Sequence, residues 1–233
     1  MVEFADSLTW TYVMGGLARE FDPQKARTEQ VGEWLDAAAE SGMPYDPRLW
    51  TEGPISSSYP ACMAVKAASE QSSDGGYAYL RALREGIMCF RRKLDTTEAL
   101  VEEARRVKLN VERFRNDLAS HATVEAFGAD LEATRAEPWP LPTLVFDGSH
   151  AVSGFRPYEE YREGALAAGA QPVGSHPPGV VDAVKRFGRV ATAEVVEVCE
   201  LPLPRAAAEL WRLASDWQLR PSRVLTGYLW EAT

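Results

Sequence analysis

No Cys-x-x-Cys pair occurs in these 233 residues; the three cysteines, Cys62, Cys89 and Cys199, stand far apart. Neither a dithiol redox motif nor a zinc pair can be read from such spacing. Isolated thiols in a reducing compartment read first as small buried apolar residues. Histidine is as scarce: His121, His150 and His176 are scattered, so no metal site is expected. No apolar run approaches the roughly 20 residues of a membrane span, which argues against a membrane partner. Met1 to Asp6 has neither a basic stretch nor an apolar one, so no signal peptide is expected and a cytoplasmic location is. An excess of base is missing too. Lysine and arginine number 25 against 34 acidic residues, and the net charge of -9 argues against nonspecific binding to nucleic acid.

What is present is a core-forming chain: 45% apolar residues suffice for one large domain, or one domain with a small appendage. Leu8 to Met14 is β-branched and aromatic and stops at Gly15-Gly16, so it reads as a strand. Thr28 to Ser41 has helical spacing and Gly42 as its stop. Tyr45 to Tyr59 reads as a loop. Pro60 opens a helix over Ala61 to Gln71, at a position where its missing N–H costs nothing. Ser72 to Gly76 reads as a break, and Tyr77 to Lys93 as a strongly periodic helix. Thr97 to Arg106, Val111 to Ser120 (with Asn110 as a cap) and Thr123 to Arg135 complete a long helical stretch. Thr143 to Phe146 and Ala151 to Ser153 then form a hairpin around Asp147-Gly148, and Pro157 to Ala168 a helix.

The most specific wording is Leu141-Pro142-Thr143-Leu144-Val145-Phe146-Asp147-Gly148, closed by Val152-Ser153-Gly154. It resembles the cis-proline strand, turn and return strand of DsbA-like thioredoxin-fold proteins. The resemblance is to the branch holding FrnE-type dithiol oxidoreductases and 2-hydroxychromene-2-carboxylate isomerases. Trp10 to Leu17 resembles the second thioredoxin strand with its Gly-Gly-Leu exit. Ser58-Tyr59-Pro60-Ala61-Cys62, with Lys66-Ala67-Ala68, resembles the first inserted helix. The resemblance covers residues 1 to about 169. It implies an α/β, thioredoxin-like fold with an inserted α-helical domain. Residues 1–27 and 138–169 would form the thioredoxin-like part and 28–137 the insertion. A linker would follow at 170–178, then a winged-helix-like C-terminal unit at 179–233.

In that family a first strand, ending in the redox cysteines, lies between the second and third strands. Few residues precede Leu8 here, so this reading has the first strand missing and expects a start site placed too far downstream. Without that strand, backbone N–H and C=O groups would go unpaired. By resemblance, Pro142 is in cis, Leu141 offers its backbone to a substrate peptide or thiol, and Thr143 is a neighbour. Trp10, Gly15 and Gly16 are further substrate-binding candidates, although Trp10 reads first as core and Gly15-Gly16 first as a turn.

Cys62, just after Pro60 near a helix start, is the candidate reactive thiol; its alternative is packing. No catalytic residue can be named. No Ser-His-Asp or Cys-His spacing is present, and Glu29, Glu33, Asp36 and Glu40 read as a solvated helix face. The expected function is that of a thiol-disulfide oxidoreductase family member, inactive as it stands. Its alternatives are a non-catalytic peptide-binding adaptor, or a thiol-dependent isomerase or transferase using a low-molecular-weight thiol such as glutathione. The expected partner is a protein disulfide, a thiol or a peptide.

Residues 179–233 read as three helices and a strand pair around Gly227. A winged helix invites a DNA-binding reading, but the seven basic residues from Pro177 onward are matched by seven acidic ones. A DNA binder should show a basic face. Packing against the rest of the chain, or a homodimer through Trp211, Trp217 and Trp230, is expected instead.

Overall fold

The computed structural model describes residues 2–174 and 176–233. After a short 3-10 turn at Ala5–Ser7 come α1 (Pro23–Ser41), α2 (Leu49–Glu52), α3 (Tyr59–Ser69) and α4 (Ser73–Arg84). The helical stretch continues with α5 (Thr97–Arg106), α6 (Val111–Leu118) and α7 (His121–Ala136). A hairpin follows, β1 (Thr143–Phe146) and β2 (His150–Ser153), then α8 (Tyr158–Ala167). The remainder holds α9 (Val180–Phe187), β3 (Val190–Ala191), α10 (Thr192–Val198), α11 (Leu203–Ser215), β4 (Leu219–Val224) and β5 (Gly227–Ala232).

Side-chain caps start several of these helices. Asp22, Thr96, Asn110 and Ser120 each accept a bond from a backbone N–H of the first turn. The helical block is built around α3, whose Ala64, Ala67 and Ala68 are fully buried. Small side chains there let α4, α5, α6 and α7 come close, and Tyr79, Leu100, Val101 and Phe114 fill the space between them. The Tyr79 hydroxyl finds a partner inside this core, donating to the Leu100 carbonyl at 2.9 Å.

The sequence reading needs correction at four places. Tyr45 to Tyr59 is not all loop, because α2 lies within it. Ser72 to Gly76 is not a break, because α4 begins at Ser73. Gly76 is there for close packing: a Cβ on it would lie 2.1 Å from Ser69 Oγ. The long helix expected to Lys93 ends sooner, as α4 passes into a π-helical turn at Glu85–Cys89. Leu8 to Met14 is extended at Leu8 but belongs to no strand. Its composition favours a strand, but a strand needs a ladder, and no described residue provides one.

The thioredoxin-like part is the hairpin with its packing partners. β1 and β2 pair antiparallel, Thr143 opposite Ser153 and Phe146 opposite His150. Asp147 and Gly148 make the turn with φ of 47° and 67°, the region Asp and Gly tolerate best. One face of the hairpin is covered, where Leu144, Phe146 and Val152 pack with Phe4, Ala165 and Ala170. Phe4 is held there by its neighbour. The Glu3 carboxylate accepts bonds from the Tyr158 hydroxyl and from Arg162 Nε, each at 2.7 Å.

The C-terminal unit is winged-helix-like: three helices and a sheet of order β3-β5-β4 around Val184, Leu210, Leu213 and Trp230. It docks on the helical block. Tyr45 N–H donates to Thr226 Oγ1 at 2.7 Å, and Cys89 shares a cluster with Ala191, Val224 and Leu229. Between them runs a chain of ion pairs. Arg81 on α4 grips Glu194 on α10 with both terminal nitrogens and donates to the Arg189 carbonyl at 2.7 Å. Arg189 in turn reaches Glu85 and Glu231, each at 2.9 Å.

Two carboxylates, buried Asp46 and partly buried Glu231, give the fold an acid limit. Asp46 is 3% exposed, and the Arg48 fork that donates to both its oxygens holds its pKa below the usual range. Burial alone would raise Glu231, but bonds from Arg220 and Arg189 outweigh it and the net shift is downward. A carboxylate depressed in the folded state stabilises it above the unfolded pKa, and that gain is lost as pH falls through the folded value. Urea midpoints should therefore stay level from pH 7 to about pH 5 and drop below it. Asp46→Asn should lower the plateau and shrink the drop; a midpoint unchanged down to pH 3 would contradict this.

Candidate functional site

The Leu141–Pro142 peptide bond is cis. The Pro142 carbonyl accepts from Gly154 N–H at 2.7 Å, which ties the proline to the return strand. The Thr143 hydroxyl donates to the Pro140 carbonyl and lies 2.9 Å from Ser153 Oγ. Thr143 thus braces the strand rather than offering a free hydroxyl. Leu141 is left outward, 53% exposed.

The glycine pair meets this strand. A Cβ on Gly15 would sit 3.0 Å from Leu141 Cδ1, so the chain crosses against the residue before the proline. Gly16 has φ of +59° and faces the helical block. A Cβ there would lie 2.6 Å from Leu131 Cδ2, with Tyr59 and Phe127 close behind. Backbone bonds fix this crossing on both sides. Met14 N–H donates to Asp130 Oδ2 at 2.8 Å, and the same oxygen pairs with Lys66 at 2.8 Å. Further on, Ala18 N–H donates to Ser58 Oγ at 2.9 Å, and Ser58 N–H returns a bond to the Ala18 carbonyl at 3.0 Å.

Cys62 lies on α3 beneath the crossing, half-buried. Burial raises its pKa; the Gly16 N–H bonded to its sulfur pulls the other way, and Asp130 adds to the rise. The net shift is upward, so the thiol is protonated at neutral pH. That removes the ground for a reactive thiolate, which rested on a helix start lowering the pKa. The other thiols are no more active: burial pushes Cys89 up to about 12 and raises Cys199. Iodoacetamide at pH 7.5 should label all three more slowly than free cysteine, with rates climbing toward pH 10. Rapid labelling of Cys62 below pH 7 would contradict this.

Leu141, Gly15, Gly16 and Cys62, far apart in sequence, are therefore brought to one place. Trp10 stands apart from these contacts on the exposed part of the same segment, as does Val13. Sequence reasoning missed Asp130 and Ser58, which position the glycine crossing. Asp130 is one acidic residue among several on a helix, and no spacing marks it. The place presents exposed Leu17, Trp139 and Leu141 and no low-pKa thiol. Its exposed side chains suit contact with an apolar peptide.

A cis-proline hairpin with a helical insertion before it defines a thioredoxin-like protein, and residues 2–163 match the thioredoxin family Thioredoxin_5. A crystal structure of a proposed protein disulfide isomerase from Nitrosomonas europaea shares this fold, with a TM-score of 0.58. At 20% identity, it covers 66% of this chain and 78% of its own. The ClpXP adapter protein SpxH of Halalkalibacterium halodurans is 30% identical over 88% of this chain and 70% of its own. SpxH of Bacillus subtilis is 29% identical over 85% and 70%, respectively. The chain belongs to this thioredoxin family and, within it, to the family of the SpxH adapter proteins. The FrnE-type and isomerase branch suggested by the sequence is thus replaced by an adapter branch.

Proposed function

We propose that the protein is a non-catalytic adaptor: a thioredoxin-like surface around cis-Pro142 binds a partner protein and hands it to the ClpXP protease. One observation carries the reading. The cis-proline strand and its glycine crossing are kept, while the thiol nearest to them, Cys62, is half-buried and held protonated. A disulfide exchange needs a thiolate as attacking group. Binding along Leu141 and Pro142 needs none. The SpxH relatives, named as ClpXP adapters, support the same reading.

The test is a degradation assay. ClpXP from the same cell is added to a soluble extract of that cell, with and without the chain, and the proteins that disappear are quantified by mass spectrometry. Faster loss of a small, defined set is the expected result. Unchanged rates for every protein, together with insulin reduction as fast as that of a Cys-x-x-Cys enzyme, would overturn the proposal.

A further inference from the structure

We propose that the outer face of α11 docks α1 of a second copy of the chain, so that copies associate head to tail. The inference does not depend on the adaptor reading. Its basis is a pair of helix faces that a single copy leaves uncovered. α11 turns Ala206, Leu210 and Leu213 into the core of the C-terminal unit. Its opposite side carries Leu203, Pro204, Ala207, Ala208, Trp211 and Ser215, none of them charged and none buried. Pro204, Ala208, Trp211 and Ser215 follow one another at intervals of four, three and four, the spacing of a helix–helix seam. Leu203 is 59% exposed and Trp211 46%. The Trp211 ring is nonetheless fixed, edge-on to Tyr228 at 5.2 Å and to Trp230 at 4.9 Å. Trp230, expected at a dimer contact, is buried and supports Trp211 from behind.

The borders of this face are positive. Among the described residues, neither Arg205 on α11 nor Arg223, opposite Tyr228 on β4, has an ion pair or a hydrogen bond. The acids of the helix are already held, because Arg212 binds both Glu209 and Asp216. An apolar strip between two free guanidiniums, on a chain of net charge -9, fits an apolar helix edged with acids.

α1 is such a helix. Val31, Trp34 and Ala38 anchor it on one side. Its outer side presents Thr28, Gly32, Leu35 and Ala39, all exposed and again at intervals of four, three and four. Beside them run Glu33, Asp36 and Glu40, exposed as well. Among the described residues, Asp36 and Glu40 have no ion pair. The two strips match in length, about 17 Å on α1 and about 18 Å on α11 at 1.5 Å per residue. Open space lies over Gly32, and small residues at the middle of both strips let the helix axes come close. Two different faces make a heterologous contact, which continues into a ring or a filament.

Sedimentation velocity on the full chain tests this. A single helix pair falls short of the roughly 1,000 Å² that a stable interface clears, so association should be reversible, with a dissociation constant of about 10–100 μM. Ala208→Glu sets a negative charge against the acids of α1, and Leu35→Glu sets one in the α1 strip. Both positions are exposed, so circular dichroism and melting should match the wild type. Each variant alone should associate at least tenfold more weakly. Mixed in equal amounts, the two should form dimers and stop there, because the Ala208→Glu copy keeps its α1 and the Leu35→Glu copy keeps its α11.

A wild type that stays monomeric up to about 200 μM, well above the predicted constant, would overturn the proposal. So would association that only one variant weakens, since one face would then be pairing with itself. Variants that each weaken association yet stay monomeric when mixed would overturn it too, as would association untouched by either.

Discussion

Replacing Arg81 with alanine should cost about 3 kcal/mol of stability, the order of breaking a partly buried ion pair by removing one partner. The guanidinium serves three groups at once. It donates to Glu85 on its own helix, grips Glu194 across the interface with two nitrogens, and meets the Arg189 carbonyl. Without it, Glu194 keeps only Ala191 N–H, at 2.7 Å, and Glu85 keeps Arg189. A carboxylate left in such a place carries its desolvation cost unpaired. Arg81→Lys should recover only part of the loss, because an ammonium cannot hold both oxygens of Glu194 in one fork. Urea unfolding gives the number, and limited proteolysis should show the C-terminal unit released first. A loss under about 0.5 kcal/mol for Arg81→Ala would place the pair with exposed ion pairs of little consequence.

Gly16→Ala should be nearly as damaging, at about 2–3 kcal/mol, for two independent reasons. Its φ of +59° is left-handed, which a residue with a Cβ adopts at a cost of about 1–2 kcal/mol. The added methyl would also sit 2.6 Å from Leu131 Cδ2, with Phe127 and Tyr59 behind it, and overpacking adds about 1–3 kcal/mol. The two contributions overlap, since one small backbone shift relieves part of each. Gly16 N–H also bonds the Cys62 sulfur, so the shift should be visible as faster labelling of Cys62 in the variant. Gly15→Ala is the control. It meets a single flexible Leu141 methyl at 3.0 Å, at a φ outside the left-handed region, and should lose less than half as much. Equal stability of Gly16→Ala and wild type would remove the glycine crossing from the account.

The hairpin was legible because its signal is local. Asp147-Gly148 between two apolar runs dictates the turn, and Pro142 sets the strand entry. The caps Asn110 and Gly42 were legible for the same reason. Leu8 to Met14 was misread because residue type reports a preference for a strand, and the ladder that makes one depends on a neighbour elsewhere. Ser72 to Gly76 was misread because two glycines signal a break in isolation, whereas Gly76 serves the approach of α4 to Ser69. Arg81 and Glu194, separated by 113 residues, each look like surface charges on a helix, and only the docked C-terminal unit joins them. The candidate site divides in the same way. Leu141, Pro142 and the glycine pair are marked by wording, but the bonds of Asp130 to Met14 and Lys66, and of Ser58 to Ala18, join segments far apart in sequence and no local pattern announces them.

The central claim is that partner delivery runs without thiol chemistry, and one measurement bears on it most directly. It is the rate at which ClpXP degrades the identified partner in the presence of the variant Cys62→Ala, Cys89→Ala, Cys199→Ala, with its folding verified by circular dichroism. The account predicts the wild-type rate, under reducing and oxidising conditions alike. A folded variant that no longer speeds degradation would contradict it and return a cysteine to the centre of the mechanism.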